Sequence, residues 1–123
     1  ENLLYGNNND IEDEKILKVC ELFKLDNLID NKLLDRIVSN TSLSSGQMQK
    51  VGFIRAILSN VEILLLDEST SNLDRNTKSL ILEILTQKDI TIINSTHDPT
   101  SFQKVDRHIQ IDIIEDKRKV YDV

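Results

Sequence analysis

The amino-acid sequence predicts an α/β fold with a parallel sheet, and three observations carry that expectation. Ile63-Leu64-Leu65-Leu66 is an aliphatic run without alternation that stops at Asp67-Glu68, as a strand buried on both faces would. Downstream, Leu80, Ile81, Ile84 and Leu85 recur at helical spacing and predict a helix over about 75–87. Ile90-Thr91-Ile92-Ile93-Asn94 then reads as a second short buried strand. A strand, a helix and a strand so spaced make a right-handed parallel crossover unit.

The 123 residues allow one ordinary domain or part of a larger one. Fifteen Lys and Arg against 21 Asp and Glu leave a net charge of −6, which argues against nucleic acid and anionic membrane surfaces as partners. At 39% hydrophobic residues but only 4% aromatic, a globular core must rest on Ile, Leu and Val. The single cysteine, Cys20, excludes an intrachain disulfide framework and a cysteine zinc cage, and it reads as core. No apolar run approaches the ~20 residues of a membrane helix, so the chain itself is expected to be soluble. Its opening, Glu1-Asn2-Leu3-Leu4-Tyr5-Gly6, reads as the middle of a longer protein.

In chain order, Asp10, Glu12, Asp13 and Glu14 precede Ile16, Leu17, Cys20 and Phe23, which predicts a helix over about 12–24 with acids at its N-terminal end. Residues 26–45 are mixed, with a short helix near Asn27 to Asp30 and a loop through Ser39-Asn40-Thr41-Ser42. Met48, Val51, Ile54, Ile57 and Leu58 predict a second helix over 46–59. Beyond the crossover unit, a short helix is expected from Pro99 to about Lys104. Ile109, Ile111 and Ile113 then alternate with polar residues as a half-exposed strand, paired with Lys119 to Val123 across a turn near Asp116-Lys117.

Open parallel sheets bind ligands beyond the carboxyl ends of their strands. Here one strand ends in Asp67-Glu68 and the other in Ser95-Thr96-His97-Asp98. One carboxylate of such a pair can hold Mg²⁺ through its water shell while the next takes a proton from an attacking water; a strand ending in solvated acids accounts for the same residues. Ser44 and Gln47 fit a capping box, yet a helix N-terminus with Ser hydroxyls and Gly46 also suits a phosphate. His97, at a strand end, reads more readily as a packed or solvated side chain than as a catalytic one, and Asp74 as the N-cap of the third helix. His108 and Lys117-Arg118-Lys119 take no role.

Order and spacing separate these readings. Leu43-Ser44-Ser45-Gly46-Gln47, then Ile63 through Asp74, then Ser95-Thr96-His97-Asp98 resemble the signature motif, the Walker B strand with its following glutamate, the D-loop and the switch histidine of the ATP-binding cassette family. Four motifs occur in family order, and the resemblance spans nearly the whole chain. Asn2 to Gly6 is similar to the stretch after the Q-loop in exporter-type cassettes.

The resemblance implies a partial P-loop NTPase, a RecA-like three-layer core with parallel strands plus part of the helical subdomain. Residues 1–45 would belong to that subdomain and 46–123 to the C-terminal half of the ATPase core. ATP and Mg²⁺ are the implied cofactors. Asp67 would orient the metal's water shell, Glu68 would polarise the attacking water, and His97 would hold the γ-phosphate. Ser44, Ser45, Gly46 and Gln47 would reach the nucleotide on a second nucleotide-binding domain in a head-to-tail pair, with Asp74 at the interface. The other implied partner is a transmembrane domain, which puts the assembly at the cytoplasmic face of a membrane and makes the reaction transport-coupled ATP hydrolysis. A degenerate or soluble cassette that acts only through dimerisation is the alternative.

The sequence departs from the family pattern at several points. Gly6, Gly46 and Gly52 are its three glycines, and none heads a Gly-Lys phosphate loop. The chain alone is therefore expected to be inactive, and its sheet edge to promote self-association. Ser45 replaces the second glycine of the signature, Lys50 stands where Arg is common and Ser69 where Ala is. Glu115-Asp116-Lys117 replaces the usual Asp-Gly turn, so a looser terminal hairpin is expected.

Overall fold

The computed structural model describes residues 2–4, 11–25, 43–98 and 104–123. The short helix expected near 27–30, the loop at 39–42 and the helix after Pro99 fall outside these residues. Among the described residues there are three α-helices and four strands: α1 (Asp13–Leu22), α2 (Ser45–Leu58), β1 (Ile63–Asp67), α3 (Arg75–Thr86), β2 (Thr91–Ser95), β3 (Ile109–Ile114) and β4 (Lys117–Asp122). A 3-10 turn at Asn2–Leu4, which the sequence reading missed, lies against α2.

Asp13 and Glu14 in the first turn of α1 meet the positive end of the helix dipole, and Ile16 and Cys20, one turn apart, are buried. Termination of α1 is geometric. Lys24 adopts a left-handed φ of 54°, Lys24 N–H donates to Glu21 O (2.8 Å), and Leu25 N–H donates to Cys20 O (3.0 Å). That pair of bonds is a Schellman closure, and it folds the buried Leu25 back onto the core behind Phe23.

β1 and β2 are parallel neighbours in register from Ile63↔Thr91 to Asp67↔Ser95, with α3 as the crossover. The core gathers Phe53, Ile54 and Leu58 from α2, Ile81 and Leu85 from α3, and the buried residues of α1. It reaches the sheet through Leu64, Leu66 and Ile92. On the opposite face Ile63, Leu65 and Ile93 are 59%, 71% and 58% exposed, so the two-sided burial expected of β1 is not met by the described residues. Alternate side chains of a strand point to opposite faces, and the helices sharing this core cover one of them.

β3 and β4 form an antiparallel hairpin with six residue pairs, Ile109↔Asp122 through Ile114↔Lys117. Its two-residue turn places Glu115 and Asp116 at φ 51° and 60°, the left-handed pair that a type I′ turn requires. The hairpin is thus fully paired without a glycine. Ile111 faces Val120 across the ladder, but both are exposed, as are Ile109 and Ile113. The half-burial expected of β3 is absent because nothing among the described residues packs on its apolar side.

Candidate functional site

The carboxyl ends of β1 and β2 come together as expected for a parallel pair. Asp67 lies opposite Ser95, and Glu68 N–H donates to Ser95 O (3.0 Å), carrying the ladder one residue past the strand. Glu68 then takes a left-handed φ of 45°, which ends the strand and turns its side chain across to β2. Its Oε1 accepts the backbone N–H of His97 at 2.7 Å and stands 3.6 Å from His97 Nε2. Glu68 and His97, 29 residues apart, therefore share one corner. The imidazole is almost wholly exposed, and the Asp67 side chain also faces solvent.

After Glu68 the chain makes two tight turns, Ser71 N–H to Glu68 O (3.2 Å) and Leu73 N–H to Thr70 O (3.2 Å), anchored by the buried Thr70 and Leu73. Asp74 then caps α3: Oδ1 accepts Thr77 N–H (3.0 Å) and Oδ2 accepts the Thr77 hydroxyl (2.7 Å). The Thr77 hydroxyl bond, and next its backbone bond, hold the Asp74 carboxyl below the usual range. The sequence reading of Asp74 as an N-cap matches this geometry.

A second group of expected site residues opens α2. Ser44 Oγ accepts Gln47 N–H (3.2 Å) and Gln47 Oε1 accepts Ser44 N–H (2.8 Å), the reciprocal capping box. Ser45 is the first residue of the helix, and it is not among the residues with positive φ, so no glycine is needed there. Gly46 is different. A Cβ at Gly46 would lie 2.9 Å from Asn72 O, so its bare Cα is what lets the loop after β1 approach the helix.

Three contacts at this helix were not foreseen from the sequence. Gln49 Oε1 accepts Asn72 N–H (3.0 Å) and Gln49 Nε2 donates to Ser71 Oγ (3.1 Å). Lys50 Nζ donates to Phe23 O (3.0 Å), joining α2 to the end of α1. No local pattern announces these bonds, since their partners lie 22 to 27 residues away. Among the described residues the side-chain hydrogen bonds fall into two groups, Glu68 with His97 at the strand ends and the start of α2 with Ser71 and Asn72, and the backbone bond from Ser71 N–H to Glu68 O joins them. No bond links Ser44, Ser45, Gly46 or Gln47 to Glu68 or His97.

The capping box also bears on ligand fit. Ser44 accepts in it but keeps its hydroxyl proton, Gln47 keeps its amide NH₂, and the N–H groups of Ser45 and Gly46 have no intrahelical acceptor by geometry. That donor set suits a phosphate oxygen. No group of three or more His, Cys, Asp and Glu side chains able to hold a metal occurs among the described residues, so Asp67 suits a metal only alongside oxygens from elsewhere. No described helix is long and apolar enough to cross a membrane.

The family model described as ABC transporter matches residues 1–71, more than half of the chain. The lactococcin-A transport/processing ATP-binding protein LcnC of Lactococcus lactis subsp. lactis is 42% identical over 101 residues, covering 79% of this chain and 14% of that protein. The sublancin-168-processing and transport ATP-binding protein SunT of Bacillus subtilis (strain 168) is 39% identical over 109 residues, or 84% of this chain and 15% of that protein. The transport/processing ATP-binding protein ComA of Streptococcus pneumoniae is 33% identical over 116 residues, or 91% and 16%. The chain thus spans about a seventh of the length of the curated relatives it matches.

Proposed function

This chain belongs to the ABC transporter family, and from that premise we propose that it is the C-terminal part of an ATP-hydrolysing domain that drives exporter-type transport across a membrane. The observation that carries the reading is the Glu68 carboxylate held where two parallel strands end, 2.7 Å from the His97 amide. That bond occupies Oε1, and Oε2 takes no hydrogen bond among the described residues. A carboxylate so fixed is oriented to accept a proton from water, and His97 stands beside it to orient a phosphoryl oxygen. Bound MgATP would supply the scissile phosphoanhydride and the cation that neutralises its charge.

Asp67, exposed next to Glu68, would hold the cation's water shell. No hydrogen bond among the described residues joins the donors at the start of α2 to Glu68 or His97, which supports their acting on a nucleotide held by a second nucleotide-binding domain in a head-to-tail pair. Asp74 would then lie at that interface, with a transmembrane domain as the other partner. Residues 1–45 are assigned to the helical subdomain and 46–123 to the catalytic core. Two relatives are named for the transport and processing of lactococcin-A and sublancin-168, and cargo of that kind is the class we favour.

Mg-ATP turnover tests the reading, measured for this chain and for the same chain joined to an upstream phosphate loop. Turnover is expected only in the joined protein, with Glu68→Gln lowering it by about 10²–10⁴-fold, the usual worth of a general base. Absence of turnover in both, with dimerisation intact, would replace the enzyme by an interaction module. The exposed face of Ile63, Leu65 and Ile93 further supports self-association of the isolated chain, which light scattering would reveal as a concentration-dependent mass.

A further inference from the structure

We propose that Gln49 is a positioning residue that makes the start of α2 and the loop Ser69–Asp74 one mechanical unit, so that the phosphate-facing donors and the interface loop move together. The inference rests on the ATPase reading above and concerns a residue that reading does not use.

The geometry is bidentate. From the second turn of α2, Gln49 accepts Asn72 N–H at 3.0 Å and donates to Ser71 Oγ at 3.1 Å, so both ends of one amide are spent on consecutive residues of the loop. One turn earlier, Gly46 lies so close to Asn72 O that a Cβ would stand 2.9 Å from it. Gly46 and Gln49 are three residues apart and share a helix face, so the loop is held at two points along that face. Two points fix an orientation where one fixes only a distance. The same loop begins at Glu68, through the Ser71 N–H to Glu68 O bond, and ends at Asp74, which caps α3. Movement of the first turn of α2 is therefore carried to the backbone of Glu68 although no hydrogen bond among the described residues joins Glu68 to α2 directly.

Loss of a residue acting this way lowers the rate of the chemical step without weakening nucleotide binding, because misplacement by about 1 Å of groups that must meet in the transition state is enough to slow it. Gln49→Leu keeps a good helix former and removes both bonds. Gln49→Glu keeps an acceptor for Asn72 N–H and offers an acceptor to the Ser71 hydroxyl proton, so it serves as the rescue.

The experiment measures Mg-ATP kcat and KM in the full protein carrying a phosphate loop, together with hydrogen exchange at the Asn72 amide. Gln49→Leu is expected to lower kcat about tenfold with KM within about twofold, and to speed Asn72 exchange. Gln49→Glu is expected to restore most of kcat, and adding Ser71→Ala to Gln49→Leu to cost nothing more. Unchanged kcat in Gln49→Leu would overturn the positioning role while leaving the ATPase reading intact, as would a lowered melting temperature alone. No turnover in the unsubstituted protein would overturn the ATPase reading and this proposal with it.

Discussion

Ser69 has a buried hydroxyl for which no hydrogen-bond partner exists among the described residues. An unmet polar group of that kind costs about 1–3 kcal/mol relative to a site where it is paired or absent. Ser69→Ala is therefore expected to stabilise the chain by about 1 kcal/mol, checked by denaturant unfolding. Cys20 illustrates the opposite balance, a group that burial suits. It is 1% exposed, and desolvation pushes its thiol from an ordinary 9.0 up to about 11. Because the folded value is the higher one, this contribution is complete below about pH 9 and is lost as pH rises towards 11. The stability gap between the parent and Cys20→Ala should narrow over that window in pH-dependent thermal unfolding. At Asp74 the sign reverses: its carboxyl is lowered by Thr77, so its contribution is present at neutral pH and fades only as acid protonates the folded state.

At the scale of elements, capping and turn chemistry account for most of the boundaries. The box between Ser44 and Gln47 starts α2 one residue earlier than the apolar periodicity suggests, and the Schellman closure at Lys24 ends α1 at Leu22 rather than 24. The β3–β4 turn is where local sequence and local structure disagree. Glu115 and Asp116 both occupy left-handed backbone, a conformation that Asn and Gly tolerate far better. Replacing the pair by Asn-Gly is expected to stabilise the hairpin by about 1 kcal/mol. Slower hydrogen exchange of the β3 and β4 amides would register the gain, and unchanged exchange would mean the turn is unstrained. A global melting curve is the wrong probe, because the hairpin's apolar residues are exposed and contribute little to the core.

For the whole molecule, stability concentrates on one side of the sheet. Ile54 and Ile81 are fully buried, whereas Leu65 is 71% exposed in a strand of the same sheet that packs on them through its neighbours. Ile81→Ala is expected to cost about 2–5 kcal/mol, as cavity-forming substitutions do. Leu65→Thr should stay within about 0.5 kcal/mol in the monomer, since a β-branched residue suits an exposed strand position. Denaturant midpoints of the two variants check this one-sidedness, and equal losses would mean that the second face of the sheet is covered in solution.

The sequence by itself determined the α/β class, the order of α2, β1, α3 and β2, the cap residues Ser44, Gln47 and Asp74, and the pair of strand ends that carry Glu68 and His97. All of these rest on short-range signals, because periodicity, capping and the abrupt end of an aliphatic run are written within one or two turns of chain. Only the tertiary structure decided that Glu68 turns left-handed to meet the His97 amide, that Gly46 is needed for the approach of Asn72, and that Gln49 spends both ends of its amide on the next loop. These depend on which distant segments come to lie together, and a local pattern carries no information about a hydrogen bond whose partner is more than 20 residues away. The same reason explains the open face of Ile63, Leu65 and Ile93: an unbroken aliphatic run announces that a strand prefers burial on both sides, while what covers each side is settled by the rest of the fold.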